Sequence, residues 1–295
     1  MSKFKNSSQL IKKLYLSSCF EEIYYLKPGN VSVKSPILGM EKKKFYRAAE
    51  ISGEILSNKN IKLGKSIFLA CKKCMTELNT NYNLGIILLT APIIKTAIEG
   101  FISYDQIRSS ISKKISEIDK KDGTYIFEAI KICNPGGIKN YKGKANINND
   151  FTENYSFQEI MEIGAKHDRI SRCYYNIFQE IFEFGLSNLR TTKKKFSKEF
   201  STQCLFLKYL SKDLDSHIQR KYGHCKADMI KKKTFWISKK IVLNESKRNK
   251  KKIKELDNYL KKTHTNPGTC ADLTVTTLLI DKLRDIVTSS SLNKI

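Results

Sequence analysis

Charged side chains in unusual company are the first places to look for chemistry in this chain. Asp119 and Asp122 stand three residues apart at the start of a predicted helix, so both can face one way. Such a pair either faces a ligand or caps the helix, whose N-terminal dipole favours negative charge. Asp168 and Arg169 adjoin in the apolar-rich part of a predicted helix, where an ionised pair is costly unless partnered. With Gly164 and Ala165 keeping the nearby surface open, they mark either a polar site or a buried structural ion pair. Asn266 and Asp272 flank the Pro267-Gly268 turn and serve a site or cap the helices around it. Arg220 and Lys221 lie in "QRKYG". Only eight of the 54 Lys and Arg residues are Arg, so each Arg marks phosphate recognition better than a lysine does. His167 reads as a helix-surface residue.

These residues must be positioned by helices. Phe45, Ala48, Ala49, Ser52, Ile55 and Leu56 recur at helical spacing, and a longer pattern runs from Phe157 to Gly185. No segment sustains a two-residue alternation. Turns are announced by Lys27-Pro28-Gly29-Asn30, Asn134-Pro135-Gly136-Gly137 and Asn266-Pro267-Gly268. The stretch 139–154, with Asn146, Asn148 and Asn149, reads as an exposed polar loop. The expectation is an all-α fold, a single multi-helix domain over residues 1–295 with Pro/Gly-rich turns lining the site.

Composition narrows the function. A chain of 295 residues that is 40% hydrophobic can build a core, so its net charge of +25 does not imply disorder. That charge suits a polyanion, and the basic stretch Lys226 to Lys254, interleaved with Phe235, Trp236 and Leu243, would suit RNA or a membrane surface. The excess is lysine, however, which reads equally as a solvated face of an amphipathic helix. No apolar run reaches the roughly 20 residues of a membrane span, because Leu84 to Ile94 is cut by Pro92 and Lys95. Cys71 and Cys74 form a lone C-x-x-C in a helical stretch, and eight scattered Cys fit reduced thiols in a cytoplasm. The Lys- and Ser-rich N-terminus, acid-free until Glu21, leaves a transit peptide as the alternative. Gly64-Lys65-Ser66 ends like a P-loop, but Lys59 stands where its first Gly is required.

Seven stretches in order carry a resemblance: "LKPGN" at 26–30, "NTNYNLGIILLTAP" at 79–92, "DKKDGTYIFEAI" at 119–130, "NPGG" at 134–137, "MEIGAKHDRI" at 161–170, "IQRKYG" at 218–223 and "NPGTCADLT" at 266–274. In this order and spacing, over about residues 14–285, the sequence resembles the triphosphoribosyl-dephospho-coenzyme A synthase family, most closely its archaeal and methylotroph branch. The resemblance implies an all-helical enzyme in which the ribose 2′-hydroxyl of dephospho-CoA attacks the anomeric carbon of the ATP ribose and expels adenine. The donor keeps its triphosphate.

That chemistry needs a carboxylate beside an oxocarbenium-like sugar, a base for the hydroxyl and a proton for adenine. It also needs cations, with Mg²⁺, for the phosphates. On this resemblance Asp168 and Asp272 are the catalytic candidates. Lys27, Gly29, Asn30, Asn79, Asn81, Arg169, Arg220 and Lys221 are expected to hold nucleotide and phosphate, and Asp119 and Asp122 the Mg²⁺. Departures from the pattern bear on the acceptor. "SPILGMEKKKF" follows the first turn without the family's His and Asp, residues 145–148 read Ala-Asn-Ile-Asn where an acidic pair is expected, and Asn81-Tyr82-Asn83 replaces a His-Lys pair. A relative that transfers a ribosyl-phosphate unit to another cofactor precursor, such as a one-carbon carrier, is one alternative. A basic nucleic-acid-binding helical protein is the other. Partners are expected to be small molecules, without a membrane, and the sequence sets no oligomeric state.

Overall fold

A computed structural model describes residues 7–100, 103–147, 155–241 and 243–292. Among them are fourteen α-helices and no strand. They are α1 (Ser8–Tyr24), α2 (Lys42–Leu56), α3 (Leu63–Leu78), α4 (Leu84–Glu99), α5 (Ile107–Ser116), α6 (Lys120–Cys133) and α7 (Phe157–Ala165), followed by α8 (Arg169–Tyr175), α9 (Leu186–Lys193), α10 (Lys198–Lys212), α11 (Ser216–Tyr222), α12 (His224–Ile241), α13 (Lys247–Lys262) and α14 (Gly268–Leu292). The all-α expectation holds. Part of the polar stretch 139–154, including Asn148 and Asn149, lies outside the described residues.

Helix α4 explains much of the packing. Its sequence is largely apolar, and Leu84 and Ile87 to Ala97 are buried, including Lys95, whose ammonium donates to the Asn58 carbonyl at 2.7 Å, as expected of a helix with almost no polar face. It packs against α14, α3 and α5, with further contacts to α1, α2 and α8. Pro92 lies inside it. Proline has no N–H, so the carbonyl four residues earlier loses its helical partner. That carbonyl belongs to Leu88, and the buried Tyr174 hydroxyl donates to it at 2.6 Å. The bond ties α8 to α4.

Helix α14 is the second central element. Thr274, Thr276 and Thr277 are fully buried, and each turns its hydroxyl back to the carbonyl four residues earlier at 2.8 Å. Threonine thereby sits in a core helix without an unpaired hydroxyl.

The long pattern from Phe157 to Gly185 is not one helix. It breaks after Ala165 and again after Tyr175, where Ile177 and Phe178 take positive φ of 47° and 54°, and resumes as a π-helical turn at Glu180–Gly185. Apolar spacing alone does not register such breaks, because both sides continue to face the same core. The basic stretch forms α12 and α13, whose inward residues Ile230, Ile241, Ile253, Leu256 and Leu260 are buried while Trp236 is 64% exposed. Gly64-Lys65-Ser66 lies within α3, not in a loop.

Tyr174→Phe removes the hydroxyl that donates to the Leu88 carbonyl. Urea unfolding is expected to show a loss of about 1–3 kcal/mol, the cost of an orphaned buried acceptor.

Candidate active site

A cavity of about 350 Å³ lies where several helices begin. The start of α14 supplies Asn266, Gly268, Thr269 and Asp272, and that of α4 supplies Asn81, Asn83 and Gly85. Helix α11 adds His217 and Arg220, the link from α7 to α8 adds Gly164, His167 and Asp168, and Glu22 and Asn30 come from α1 and the loop after it. The N-terminal dipoles of α4 and α14 therefore face the cavity and favour negative charge there.

Local hydrogen bonding fixes these groups. Asp168 is the N-cap of α8: its Oδ1 accepts from the Ile170 and Ser171 N–H groups at 2.9 and 3.0 Å. Its Oδ2 accepts from Arg220 Nη1. Arg220 Nε is buried without a hydrogen-bond partner. The Asn30 amide donates to Asn266 Oδ1 at 2.8 Å, joining the two Pro-Gly-containing turns. Asp215, 1% exposed, caps α11 through Ile218 N–H at 3.0 Å and accepts from Cys270 N–H at 2.8 Å, so one carboxylate locks α11 to α14.

The titratable groups are pushed in opposite directions. Burial raises the Asp272 carboxyl well above its ordinary range, and the neighbouring carboxylates of Asp215, Glu22 and Asp168 raise it further, with Arg220 opposing. Burial lowers His217, Arg220 and Lys221 lower it further, and Asp215 opposes them. Asp272 therefore favours the protonated acid and His217 the neutral imidazole. Gly85 makes room for the acid, since a Cβ there would stand 2.0 Å from Asp272 Oδ2.

Of the residues expected from sequence, Asn30, Asn81, Asp168, Arg220 and Asp272 line this cavity. The others are placed elsewhere. Lys27, 0% exposed, is committed to an ion pair with Glu22 at 3.0 Å and to the carbonyls of Glu22, Tyr25 and Val31. Its partner lines the cavity, and the lysine holds that wall from behind. Gly29 turns from the cavity with φ 76°, donating its N–H to Asp257 at 2.9 Å, and a Cβ there would meet the Thr265 carbonyl at 2.6 Å. Asn79 is an exposed left-handed C-cap of α3. Arg169 is buried against Glu180 at 2.6 Å and the Tyr209 carbonyl at 3.1 Å, so the cavity's ion pair is Asp168–Arg220, not Asp168–Arg169. Lys221 is exposed and lies over the Tyr222 ring.

Asp119 and Asp122 do not fit the expected Mg²⁺ site. Asp119 caps α6 through Asp122 N–H at 2.8 Å and faces Lys62, while buried Asp122 packs its backbone against Gly64 of α3. Among the described residues no group of three or more His, Cys, Asp or Glu is arranged to hold a metal ion. Cys71 and Cys74 are likewise free, buried thiols.

Sequence reasoning missed Glu22 and His217 and set aside His167. Scarcity was the available signal: the chain has four His, and two of them line one cavity.

An all-helical scaffold that brings Asp272, His217 and the Asp168–Arg220 pair to one cavity beside helix N-termini is the kind of polar site a group-transfer enzyme would have. Comparison with known proteins agrees. Residues 8–291 match the ATP:dephospho-CoA triphosphoribosyl transferase family, so the chain belongs to that family and is a transferase. The fold is similar to the crystal structure of a protein from Archaeoglobus fulgidus assigned as a triphosphoribosyl-dephospho-CoA synthase. The TM-score is 0.61 and the identity 23%, over 82% of this chain and 98% of that one. No curated protein sequence matches the chain. No helix among the described residues is long and apolar enough to cross a membrane.

Lys27→Met separates wall support from phosphate contact. Breaking a buried pair leaves Glu22 uncompensated, so unfolding free energy is expected to fall by about 3–5 kcal/mol. Calorimetry on the folded fraction should give an unchanged ATP affinity, whereas Arg220→Gln should weaken ATP with little change in stability.

Proposed function

We propose that this cavity is where the triphosphoribosyl group of ATP passes to the ribose 2′-hydroxyl of dephospho-CoA, with adenine as leaving group. The observation that carries the reading is that His217, Asp272 and the Asp168–Arg220 pair line one cavity, with the base and the acid tuned apart. Neutral His217 takes the proton of the attacking hydroxyl. The hydroxyl oxygen bonds to the anomeric carbon as the bond to the adenine nitrogen breaks, and Asp272 gives its proton to the departing base. Asp168, held by two backbone N–H groups and Arg220, sets a fixed negative charge beside the oxocarbenium-like sugar.

The N-termini of α4 and α14 and the guanidinium of Arg220 supply donors for phosphate oxygens. Magnesium enters with the ATP triphosphate as part of the substrate. Asn30, Asn81 and Asn266 orient ribose or base. The eight free cysteines fit a reducing cytoplasm as the place of action.

The pH profile of kcat tests the assignment. Activity should rise as His217 loses its proton, below the usual histidine range, and fall as Asp272 loses its own, above the usual carboxylate range. Asp272→Asn and His217→Asn should each lower adenine release by about 100-fold or more, the ordinary worth of a general acid or base. The same Asp272→Asn protein should be at least as stable as the parent at pH 8. A carboxyl whose folded pKa exceeds its unfolded one loses stability as pH rises between the two, and the amide has no such loss. A normal rate of adenine release from Asp272→Asn would remove Asp272 from the mechanism.

A further inference from the structure

The polar groups described above come from α1, α4, α8, α11, α14 and the turns that lead into them. Another part of the lining is walled by Ile126, Phe127 and Ile130 of α6 and by Phe157, Ile160 and Met161 of α7. All are buried except Ile130, which is half-buried. Along α7 the wall changes character in chain order, from Phe157 through Met161 to Gly164 and then to Asp168. Within α7, helical rise separates Phe157 from Gly164 by about 10 Å.

Charge is distributed as unequally as polarity. The formal cations in the lining are Lys144, which is exposed, and Arg220, which is paired with Asp168. Glu22, Asp168 and Asp272 are acidic side chains of the same lining. None of the six wall residues is charged, so a phosphate placed against them would find no cation among them, and an unpaired charge among apolar walls is costly. An uncharged chain would instead gain by covering those walls. Donor and acceptor both carry adenine and ribose. What ATP lacks is the pantetheine arm, with its methylene and dimethyl surface.

We propose that the α6–α7 chamber is the acceptor subsite and takes the uncharged pantetheine arm of dephospho-CoA. The diphosphate then stays with the polar groups, and the enzyme tells acceptor from donor by an apolar contact instead of a phosphate contact. The assignment rests on the reading of this cavity as the place of triphosphoribosyl transfer.

ADP carries the nucleotide of dephospho-CoA without the arm, so the two ligands isolate its contribution. Titration calorimetry of dephospho-CoA, ADP and ATP would be run on the parent protein, on Ile130→Asp, on Ile163→Asp at a half-buried residue of α7 that lines the same cavity, and on Ile130→Leu as a fold-preserving control. The parent is expected to bind dephospho-CoA at least about tenfold tighter than ADP. Both Asp variants should lose that advantage while ADP and ATP affinities stay within about twofold, and the Leu variant should keep it. Equal affinity of dephospho-CoA and ADP in the parent, or an arm advantage that survives both Asp variants, overturns the subsite. Adenine release, measured separately, keeps the two readings apart. Turnover without an arm advantage sinks the chamber assignment and leaves the transfer standing. An arm advantage lost in both variants, with no adenine formed, does the reverse.

Discussion

A helix buried on every side can leave no backbone group without a partner, and α4 lives under that constraint with a proline in its middle. Pro92 removes a donor at a place water does not reach. Tyr174 reaches across from α8 and satisfies the Leu88 carbonyl. That one bond brings the helix capped by Asp168 against the helix whose start holds Gly85, so a repair of the backbone also sets two walls of the cavity. Without it α4 would have to kink, or to expose a carbonyl to the core.

The same economy governs the charged groups. The interior contains cations, but most are committed to the scaffold. Lys27 serves the loop after α1, and Arg169 ties α8 to Glu180 and to the carbonyl of Tyr209. A buried ion adds little net stability over an apolar residue of the same shape, but it strongly restricts which arrangements satisfy it. Those two residues define where loops go. Arg220 differs from them in lining the cavity, where it pairs with Asp168.

Helix content was legible in the sequence, because spacing of apolar residues and Pro/Gly turns reports directly on which faces are buried. The family was legible too, since its motifs are the turns and helix starts that build the cavity. Individual roles were less so. Asn79 and Asn81 are two residues apart and look equivalent as letters, yet one ends α3 in a left-handed turn while the other accepts the first N–H of α4 inside the cavity. Asp168 and Arg169 adjoin in sequence, but a helix break between α7 and α8 sends the two side chains in different directions. His217 escaped notice because its chemistry comes from Asp215, Arg220 and the start of α14, only some of which are its neighbours in the chain. Which way a side chain turns at a helix end depends on tertiary partners, and one-dimensional spacing does not contain them.

The hydrogen bond between Asn30 and Asn266 spans 236 residues of sequence. The loop after α1 and the turn before α14 meet at one part of the cavity lining, and segments between them in the chain complete it. Loops of that length close late, after local helices have formed. The cavity is therefore among the last features to be completed as the chain folds, and on the ribosome it has no counterpart until α14 has emerged. Partly made chains, however helical, carry no working site. Turnover by this enzyme is thus a report that both ends of the polypeptide have found each other.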